Sequence, residues 1–420
     1  MATLGVLYGA GAASPSEIVS AIPPGWSVCW LVGKDDAGSG PLRSVLEQSG
    51  PVHDWRDFRP TRVPLTLDAV TTFSDPMVLP AALVRQELGL RGTSVEAARL
   101  LTDKYLQRQR LARVGLEQTP CLAATAPGEL SSALGTIGLP AVIKPRTSVG
   151  SAYTFRIGDG GELDQAAANI PAAVWAGGGV VVEPELTGRG PSDVGLADYL
   201  SVETLSAGGR HVPVAVTARL VLAPPFRERG GVMPAGLGYA DRHRVTELAI
   251  AALEAIGVSD GVCHTEIKLQ PAAASVIEVN GRLGGHIAWL WKRIGGGDLV
   301  ALELTAACQA SAAGQTRASW PEPAGDLIAF RYLLPAPLTV GRVSAVRGVA
   351  QVRGLPGVEL VQLRARRGIV LDWRQGTGSY AVLVSGTAPT YEAMHRCIER
   401  IESLVEIELD EPGFAEESQP

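Results

Sequence analysis

Apolar and polar residues alternate with the two-residue period of a β-strand in segments 264–269 (HTEIKL) and 275–280 (SVIEVN), on either side of the connection QPAAA. Such alternation indicates strands with one buried face, and two such segments around a short connection predict a β-hairpin. With residues 270–274 as the loop, the register places three pairs opposite each other: Leu269 and Ser275, Glu266 and Glu278, and His264 and Asn280.

One face of this hairpin is predicted to be polar and the other apolar. The polar face carries His264, Glu266, Lys268, Glu278, Asn280 and Arg282. The apolar face carries Ile267, Leu269, Ile277 and Val279. We therefore expect the apolar face to pack in the core and the polar face to carry chemistry.

Short apolar strands alternate with helices in the N-terminal part of the chain. Strands are predicted at 3–8, 26–32 and 69–73, and Ser14 with Pro15 is a typical start of the first helix. This order predicts a small parallel α/β domain. A GxGxxS turn, with Asp35 and Asp36 after the second strand, resembles a truncated dinucleotide fingerprint. Its third glycine is replaced by a serine, so a structural domain is preferred.

The middle and C-terminal parts mix helices and strands. A long helix is predicted from about 95 to 114, strands at 139–144, 180–183, 199–205 and 212–222, and a helix at 244–256 that leads into the hairpin. Prolines and glycine cluster at 320–325, where a boundary is expected. We predict an α/β (α+β) chain with three domains, at residues 1–93, 94–320 and 321–420, the last β-rich with a terminal helix.

Composition narrows the classes of function. The chain has 420 residues, of which 46% are hydrophobic and 19% charged, which is typical of a globular protein. With a net charge of −6 and no basic run, a nucleic-acid partner is not expected. The five cysteines are scattered without CxxC spacing, which argues against a disulfide framework or zinc. No signal-peptide pattern or bilayer-length apolar run occurs, so we expect a cytoplasmic protein with no membrane partner.

The polar face of the hairpin suggests a metal site. Two carboxylates opposite each other lie roughly 5 Å apart and repel. A divalent cation relieves this repulsion, and Glu266, Glu278 and the Asn280 carbonyl are the few hard oxygen ligands that suit Mg²⁺. The alternative is a solvated face on which Lys268 neutralises one glutamate.

Three further segments could handle a nucleotide. Lys144 ends a buried strand and precedes a Gly/Ser turn, whose phosphate-binding candidates are Thr147, Ser148, Gly150 and Ser151. The strand ending in Glu183-Pro-Glu-Leu186 resembles a hinge with free backbone groups for adenine. Arg282 could hold a transferring phosphoryl group. The alternatives are an ordinary turn after a surface lysine and a salt bridge from Arg282 to Glu278.

Taken in order, these features resemble the ATP-grasp superfamily, and within it the L-amino acid ligases, which are carboxylate–amine ligases. The resemblance spans nearly the whole chain and is carried by TTFSDPMVLPAALVRQELGLRG, TDKYLQRQRLARVGLEQTP, HTEIKL and VIEVNGRLGG. It implies an ATP-grasp fold with an N-terminal Rossmann-like preATP-grasp domain and a C-terminal β-rich cap.

The resemblance also implies residue roles. Lys104 and Lys144 would contact ATP phosphates together with Ser148, Gly150 and Ser151, and Glu183 and Leu186 would bracket adenine. Glu266, Glu278 and Asn280 would hold Mg²⁺, with Mn²⁺ also possible. Lys144 and Arg282 would be catalytic, Arg282 by stabilising the phosphorylated intermediate. Glu228 would recognise the amino-acid substrate. Trp289 lines the pocket or packs in the core. Where these ligases often carry histidine, this chain has Gly231, which leaves the first substrate open.

The function implied is ATP-dependent joining of a small carboxylate and an amine through an acyl phosphate, in small-peptide or specialised-metabolite biosynthesis. Two alternatives stay open: transfer of the acyl group to a carrier-protein thiol, a hydrazine or another amine, and a non-catalytic nucleotide-binding module. Biotin-dependent carboxylation is disfavoured because no biotin-carrier segment occurs. A homodimer is possible.

Overall fold

The N-terminal part forms a four-stranded parallel sheet in the order β3-β2-β1-β4. The computed structural model describes residues 1–33, 40–56, 66–191, 194–271, 273–308 and 327–410. The strands are β1 Ala2–Leu7, β2 Trp26–Val32, β3 Val52–Asp54 and β4 Ala69–Thr72, and the helices are α1 Pro15–Ser20, α2 Pro41–Glu47 and α3 Val78–Leu88. Ser14 caps α1 in a capping box with Glu17, as its position predicted. The small parallel α/β unit is confirmed, whereas Asp35 and Asp36 lie outside the described residues.

The helix predicted from 95 to 114 is two helices, α4 Val95–Thr102 and α5 Lys104–Arg113. Asp103 between them is extended (φ −126°, ψ 106°), and its carboxylate accepts hydrogen bonds from the first backbone N–H groups of α5. The apolar period continues through the break, because both helices bury one side, so periodicity alone could not reveal it. As a result Lys104 lies in the first turn of a helix and not in its middle.

A second, antiparallel sheet of four strands follows in the order β5-β8-β6-β7. Its strands are β5 Leu122–Ala124, β6 Ala141–Pro145, β7 Phe155–Ile157 and β8 Val180–Pro184, and its helices are α6 Leu130–Ile137, α7 Glu162–Asn169 and α8 Ala172–Ala176. Lys144 and Glu183 lie on the neighbouring central strands β6 and β8.

The largest sheet has eight strands in the order β13-β12-β9-β10-β11-β14-β18-β16. Its strands are β9 Leu196–Ala207, β10 Arg210–Leu220, β11 Gly230–Met233, β12 Gly261–Leu269, β13 Ala274–Asn280, β14 Ile328–Pro335, β16 Val358–Leu363 and β18 Tyr380–Ala388. The helices α9 Tyr239–Ile256, α10 Ile287–Arg293 and α11 Leu299–Cys308 accompany it. Strands from both sides of residue 320 thus belong to one sheet. The expected boundary at 320–325 lies outside the described residues, so the domain division stays a prediction.

The C-terminal residues add a small sheet in the order β17-β15-β19. Its strands are β15 Gly341–Arg347, β17 Val370–Leu371 and β19 Glu406–Asp410, and the helices are α12 Val349–Arg353 and α13 Tyr391–Leu404. The apolar face of α13 packs on the eight-stranded sheet through Met394, Ile398 and Ile401. No helix of the described residues combines the length and the apolar character that crossing a membrane requires.

The hairpin β12–β13 has the predicted pairing at its functional end. His264 pairs with Asn280 and Glu266 with Glu278. A β-bulge then shifts the register, so that Leu269 faces Ala274 and not Ser275. Because of the bulge, fully buried Val276 takes the core position predicted for Ile277.

Candidate functional site

A cavity of about 550 Å³ is lined by residues of the two larger antiparallel sheets and of the loops that follow strands β1 and β4 of the N-terminal sheet. Its lining brings together most of the predicted site residues: Lys104, Lys144, Ser148, Gly150, Ser151, Glu183, Leu186, Glu228, Glu266, Glu278, Asn280 and Arg282. Ile277, displaced from the core by the bulge, also lines it. This volume is within the usual range for a cofactor or small-molecule site.

Lys144 reaches the cavity from a buried ion cluster. Its Nζ lies 2.7 Å from Glu183 Oε2, and Arg108 Nε donates to Glu183 Oε1 at 3.1 Å. Burial alone would raise the pKa of Glu183, but the charges and hydrogen bonds of Lys144 and Arg108 lower it to about 2. The Glu183 carboxylate therefore positions two cations, and the predicted contact of this strand end with adenine, which uses backbone groups, stays a prediction.

Lys104 approaches the cavity from the start of α5. Its Nζ lies 2.9 Å from Glu278 Oε1 and donates to the Ser148 carbonyl at 2.8 Å. The helix start is held by Asp103, whose Oδ2 lies 2.5 Å from Arg146 Nη2. Lys104 therefore links the carboxylate hairpin with the Gly/Ser turn.

The Gly/Ser turn has an unusual backbone that the C-terminal part of the chain supports. Gly150 and Ser151 adopt left-handed conformations, with φ of 60° and 57°. The Gly150 carbonyl accepts from the Thr377 N–H at 2.8 Å. A Cβ at Gly376 would lie 2.2 Å from that carbonyl, so only glycine allows the approach. We call the 3₁₀ segment Trp373–Ser379 the C-terminal clasp.

The opposed carboxylates lie on one wall of the cavity. Glu266 Oε1 is 3.4 Å from His264 Nε2, and Asn280 is buried beside them. Burial would raise the pKa of Glu266, but His264 and nearby arginines lower it to about 2, so it is ionised. No cluster of three or more His, Cys, Asp or Glu side chains suited to a metal occurs in the described ranges. Two carboxylates and one amide oxygen nevertheless fit Mg²⁺, which uses few protein ligands and keeps places for phosphate and water.

Arg282 is tied to the N-terminal unit. Its Nε and Nη2 donate to Asp75 Oδ2 at 2.8 and 2.5 Å, and its Nη1 donates to the Leu283 carbonyl at 2.9 Å. Burial would lower the pKa of Arg282, but the Asp75 charge raises it. The alternative that Arg282 forms a salt bridge with Glu278 is not observed, because its partner is Asp75, which fixes the guanidinium at the cavity wall.

Glu228 lies at the other end of the cavity, paired with Arg219. Arg219 Nη2 also donates to Ser201 Oγ at 3.1 Å and lies 3.0 Å from His264 Nε2. His264 Nδ1 contacts buried Glu203, whose other oxygen accepts from the Gly284 N–H at 2.9 Å. His264 thus contacts Glu203, Arg219 and Glu266 and can hold these side chains in place.

Trp289 is not among the residues that line the cavity. Its ring lies 5.8 Å from the Arg331 guanidinium, and it packs against the core. The alternative reading of Trp289 as a core residue is therefore the better description. The absence of a side chain at Gly231 opens little space, because a Cβ there would lie 3.0 Å from Thr217 Cγ2 and 3.4 Å from Leu290 Cδ1.

Several cavity residues were missed at the sequence level. Arg108 follows Lys104 by four residues on the same helix, which is a usable signal. Asp75 follows the carboxyl end of a parallel strand, where ligands usually bind. His286 and the clasp residue Thr377 carried no recognisable pattern, because their approach depends on tertiary structure.

Comparisons with known proteins agree with the fold. The model of the L-amino acid ligase C-terminal domain 2 matches residues 333–410. The chain is 29% identical over 259 residues to alanine–anticapsin ligase of Bacillus subtilis, covering 58% of this chain and 54% of that protein. It is 26% identical over 324 residues to human carnosine synthase 1, covering 71% of this chain and 38% of that protein. The chain thus spans about half or less of the length of these relatives.

Among solved structures, an L-amino acid ligase from Bacillus licheniformis superposes with a TM-score of 0.74 at 20% identity. The match covers 98% of this chain and 99% of that one. It confirms the fold class predicted from the sequence. The chain therefore has the ATP-grasp fold of the L-amino acid ligase structure, and its residues 333–410 match the L-amino acid ligase C-terminal domain 2.

Proposed function

We propose that this protein is an ATP-dependent ligase that joins a small carboxylate, such as an amino acid, to an amine through an acyl phosphate. The observation that carries the proposal is the gathering of Lys104, Lys144 and Arg282 around the opposed carboxylates Glu266 and Glu278 in one cavity. The names of the relatives, alanine–anticapsin ligase and L-amino acid ligase, support amino-acid substrates.

A carboxylate does not react with an amine at neutral pH, because its carbon is a poor electrophile and its oxygen a poor leaving group. In the first step a substrate carboxylate oxygen attacks the γ-phosphorus of ATP, which gives an acyl phosphate and ADP. The charge that develops on the phosphoryl oxygens is stabilised by Lys144 and Arg282, which are held ready by Glu183 and Asp75.

Glu266, Glu278 and Asn280 would hold Mg²⁺, with Mn²⁺ as the alternative. The ion supplies charge neutralisation at phosphate oxygens. With Glu278 as a metal ligand, Lys104, whose Nζ contacts that carboxylate in this structure, would be available to a phosphate. Ser148, Gly150 and Ser151 then cover the phosphates, while Leu186 and Ile277 offer apolar contacts to adenine.

In the second step the amine attacks the acyl carbon, phosphate leaves, and an amide forms. Water competes with the amine, so the Gly/Ser turn has to exclude it. Glu228 would receive the ammonium group of an amino-acid substrate. A carrier-protein thiol or a hydrazine remains an alternative nucleophile. We also predict a cytoplasmic location and a homodimer. Light scattering of the purified protein tests the oligomeric state.

The test is phosphate release from ATP and Mg²⁺ across a panel of carboxylates and carboxylate–amine pairs, with mass spectrometry of the products. We expect release only with a matched pair, and a product at the mass of the amide. ATP binding without phosphate release for any pair or for a carrier-protein acceptor would favour the non-catalytic module instead.

A further inference from the structure

Three neighbouring strands place Arg219, Gly231 and Arg331 in one line across the eight-stranded sheet. Gly231 pairs with Arg219 on one side and with Arg331 on the other. Directly opposed residues of antiparallel strands point to the same face. Two strand spacings put the backbones of the two arginines about 10 Å apart. The position between them carries no side chain, so the sheet has a gap between two cations.

This gap is a small cavity of about 10 Å³. It is lined by both arginines, Glu228, His286 and Leu290. Arg219, Glu228 and His286 line the large cavity as well, so the two spaces adjoin at these side chains. The volume is about what one water molecule or one carboxylate oxygen needs.

The two arginines differ in their partners. Arg219 is paired with Glu228, whereas Arg331 is only 8% exposed and its Nε has no hydrogen-bond partner among the described residues. Among the described residues Arg331 forms no ion pair either. Its aromatic neighbour Trp289 carries no charge that could neutralise the guanidinium. A buried cation without a counter-ion is costly to folding. Such an arrangement is expected where a ligand supplies the missing anion.

The electrostatics of the gap also favour an anion. Burial lowers the pKa of Arg331, to about 10, so the guanidinium stays charged at neutral pH. Burial and the charges of Arg331 and Arg219 lower the pKa of His286 to about 3, so this imidazole is neutral. The Glu17 carboxylate opposes the lowering of the Arg331 pKa without forming an ion pair, so the gap offers one positive charge that no carboxylate of the described residues contacts.

We infer that the gap at Gly231 is a subsite for an unreacting carboxylate of the substrate, with Arg331 as its counter-ion. The inference rests on the proposed ligase function and narrows its substrate class. One carboxylate oxygen enters the gap, while the remainder of the substrate stays in the large cavity beside Glu228. The carboxylate belongs either to the side chain of a dicarboxylic amino acid that is activated, or to the α-carboxyl group of an amino acid that serves as the amine.

The experiment compares acids with their isosteric amides. In one arm, isothermal titration calorimetry of the full chain with ADP and Mg²⁺ measures binding of L-aspartate against L-asparagine and of L-glutamate against L-glutamine. In the other arm, glycine is compared with glycinamide as the titrant. The proteins are the wild type, Arg331→Gln, Arg331→Lys and the control Arg342→Gln, an exposed arginine on β15.

We expect the wild type to prefer the acid of at least one pair by about tenfold or more, the usual effect of a charged hydrogen bond. Arg331→Gln should remove that preference, Arg331→Lys should retain part of it, and Arg342→Gln should leave it unchanged. The arm in which the preference appears identifies the source of the carboxylate. Equal binding of acids and amides in both arms, or a preference that survives in Arg331→Gln, would overturn the inference.

Two further readouts separate the possible causes of failure. The melting temperature of ligand-free Arg331→Gln should equal or exceed that of the wild type, because an unpaired buried charge is removed. A clear decrease would assign Arg331 a structural role and count against the subsite. Phosphate release is measured separately with the same substrates. Absence of phosphate release would refute the proposed ligase function. The preference for acids over amides in the binding experiment decides separately whether the carboxylate subsite exists.

Discussion

The buried ion cluster of Lys144, Arg108 and Glu183 allows a quantitative prediction for the variant Glu183→Gln. The substitution keeps the size of the side chain and removes its negative charge. Glu183 is 4% exposed, and its two oxygens contact Lys144 and Arg108. The variant therefore leaves buried Lys144 without its counter-ion and Arg108 with only the more distant Glu117, at 3.9 Å, so the protein should lose stability.

The size of the loss follows from the pKa of Glu183. One unit of pKa difference between the folded and unfolded chain corresponds to about 1.4 kcal/mol. A carboxyl group that moves from 4.5 to about 2 on folding therefore contributes about 3 kcal/mol. Removal of one partner from a buried ion pair costs about 3–5 kcal/mol in other proteins, which agrees. Because the pKa is lower in the folded chain, this stabilisation is fully present above about pH 4.5 and is lost as the pH falls towards 2.

Urea denaturation followed by tryptophan fluorescence at neutral pH measures the effect. Glu185→Gln is the matched control. Glu185 Oε2 lies 2.8 Å from Arg156 Nε, but the Arg156 side chain is 47% exposed, and an exposed ion pair contributes no more than about 1 kcal/mol. The difference between wild type and Glu183→Gln should also narrow below about pH 4.5. Equal stability of the two variants at neutral pH would refute the reasoning.

Four further substitutions test the site. Lys144→Ala should weaken ATP binding about tenfold or more, measured by calorimetry, and unchanged affinity would argue against its role. Glu278→Ala should reduce phosphate release about a hundredfold or more with folding retained by circular dichroism, since a metal contributes several kcal/mol, and near-normal turnover would contradict the metal site. Asp75→Asn should lower kcat about tenfold while ATP affinity stays constant, because Arg282 loses its orientation; a change in affinity alone would oppose this. Gly376→Ala should raise the KM for ATP, since its Cβ would collide with the Gly150 carbonyl, and an unchanged KM would separate the clasp from nucleotide binding.

The carboxylate hairpin was predictable because strand alternation and the spacing of its glutamates are local properties. The pairing of Glu266 with Glu278 followed from counting residues around the loop. The bulge could not be predicted in this way, because the composition of a strand does not show whether one of its residues is extra to the pairing. Its result, Val276 in the core and Ile277 in the cavity, appears only when the two strands are packed.

The positions of the charged side chains were predictable, but their partners were not. Arg282 was expected beside Glu278 and contacts Asp75, 207 residues away along the chain. The Glu183 carboxylate holds Lys144 and Arg108, a pairing that the sequence analysis did not predict. Sequence spacing within one element cannot report such pairings, because they arise between elements that are distant in the chain.

The continuity of the eight-stranded sheet has a consequence for protein engineering. The region that matches the L-amino acid ligase C-terminal domain 2 begins at residue 333, in the middle of strand β14, Ile328–Pro335. A chimera that exchanges this region with a relative at that residue would splice two different half-strands between β11 and β18. Excision from residue 333 onwards would remove β18 and leave the remainder of β14, residues 328–332, as an unpaired edge, which favours aggregation. The segment recognised by similarity, residues 333–410, is therefore shorter than the segment that could be exchanged as a unit. A recombination point should lie before residue 328, so that strand β14 stays whole.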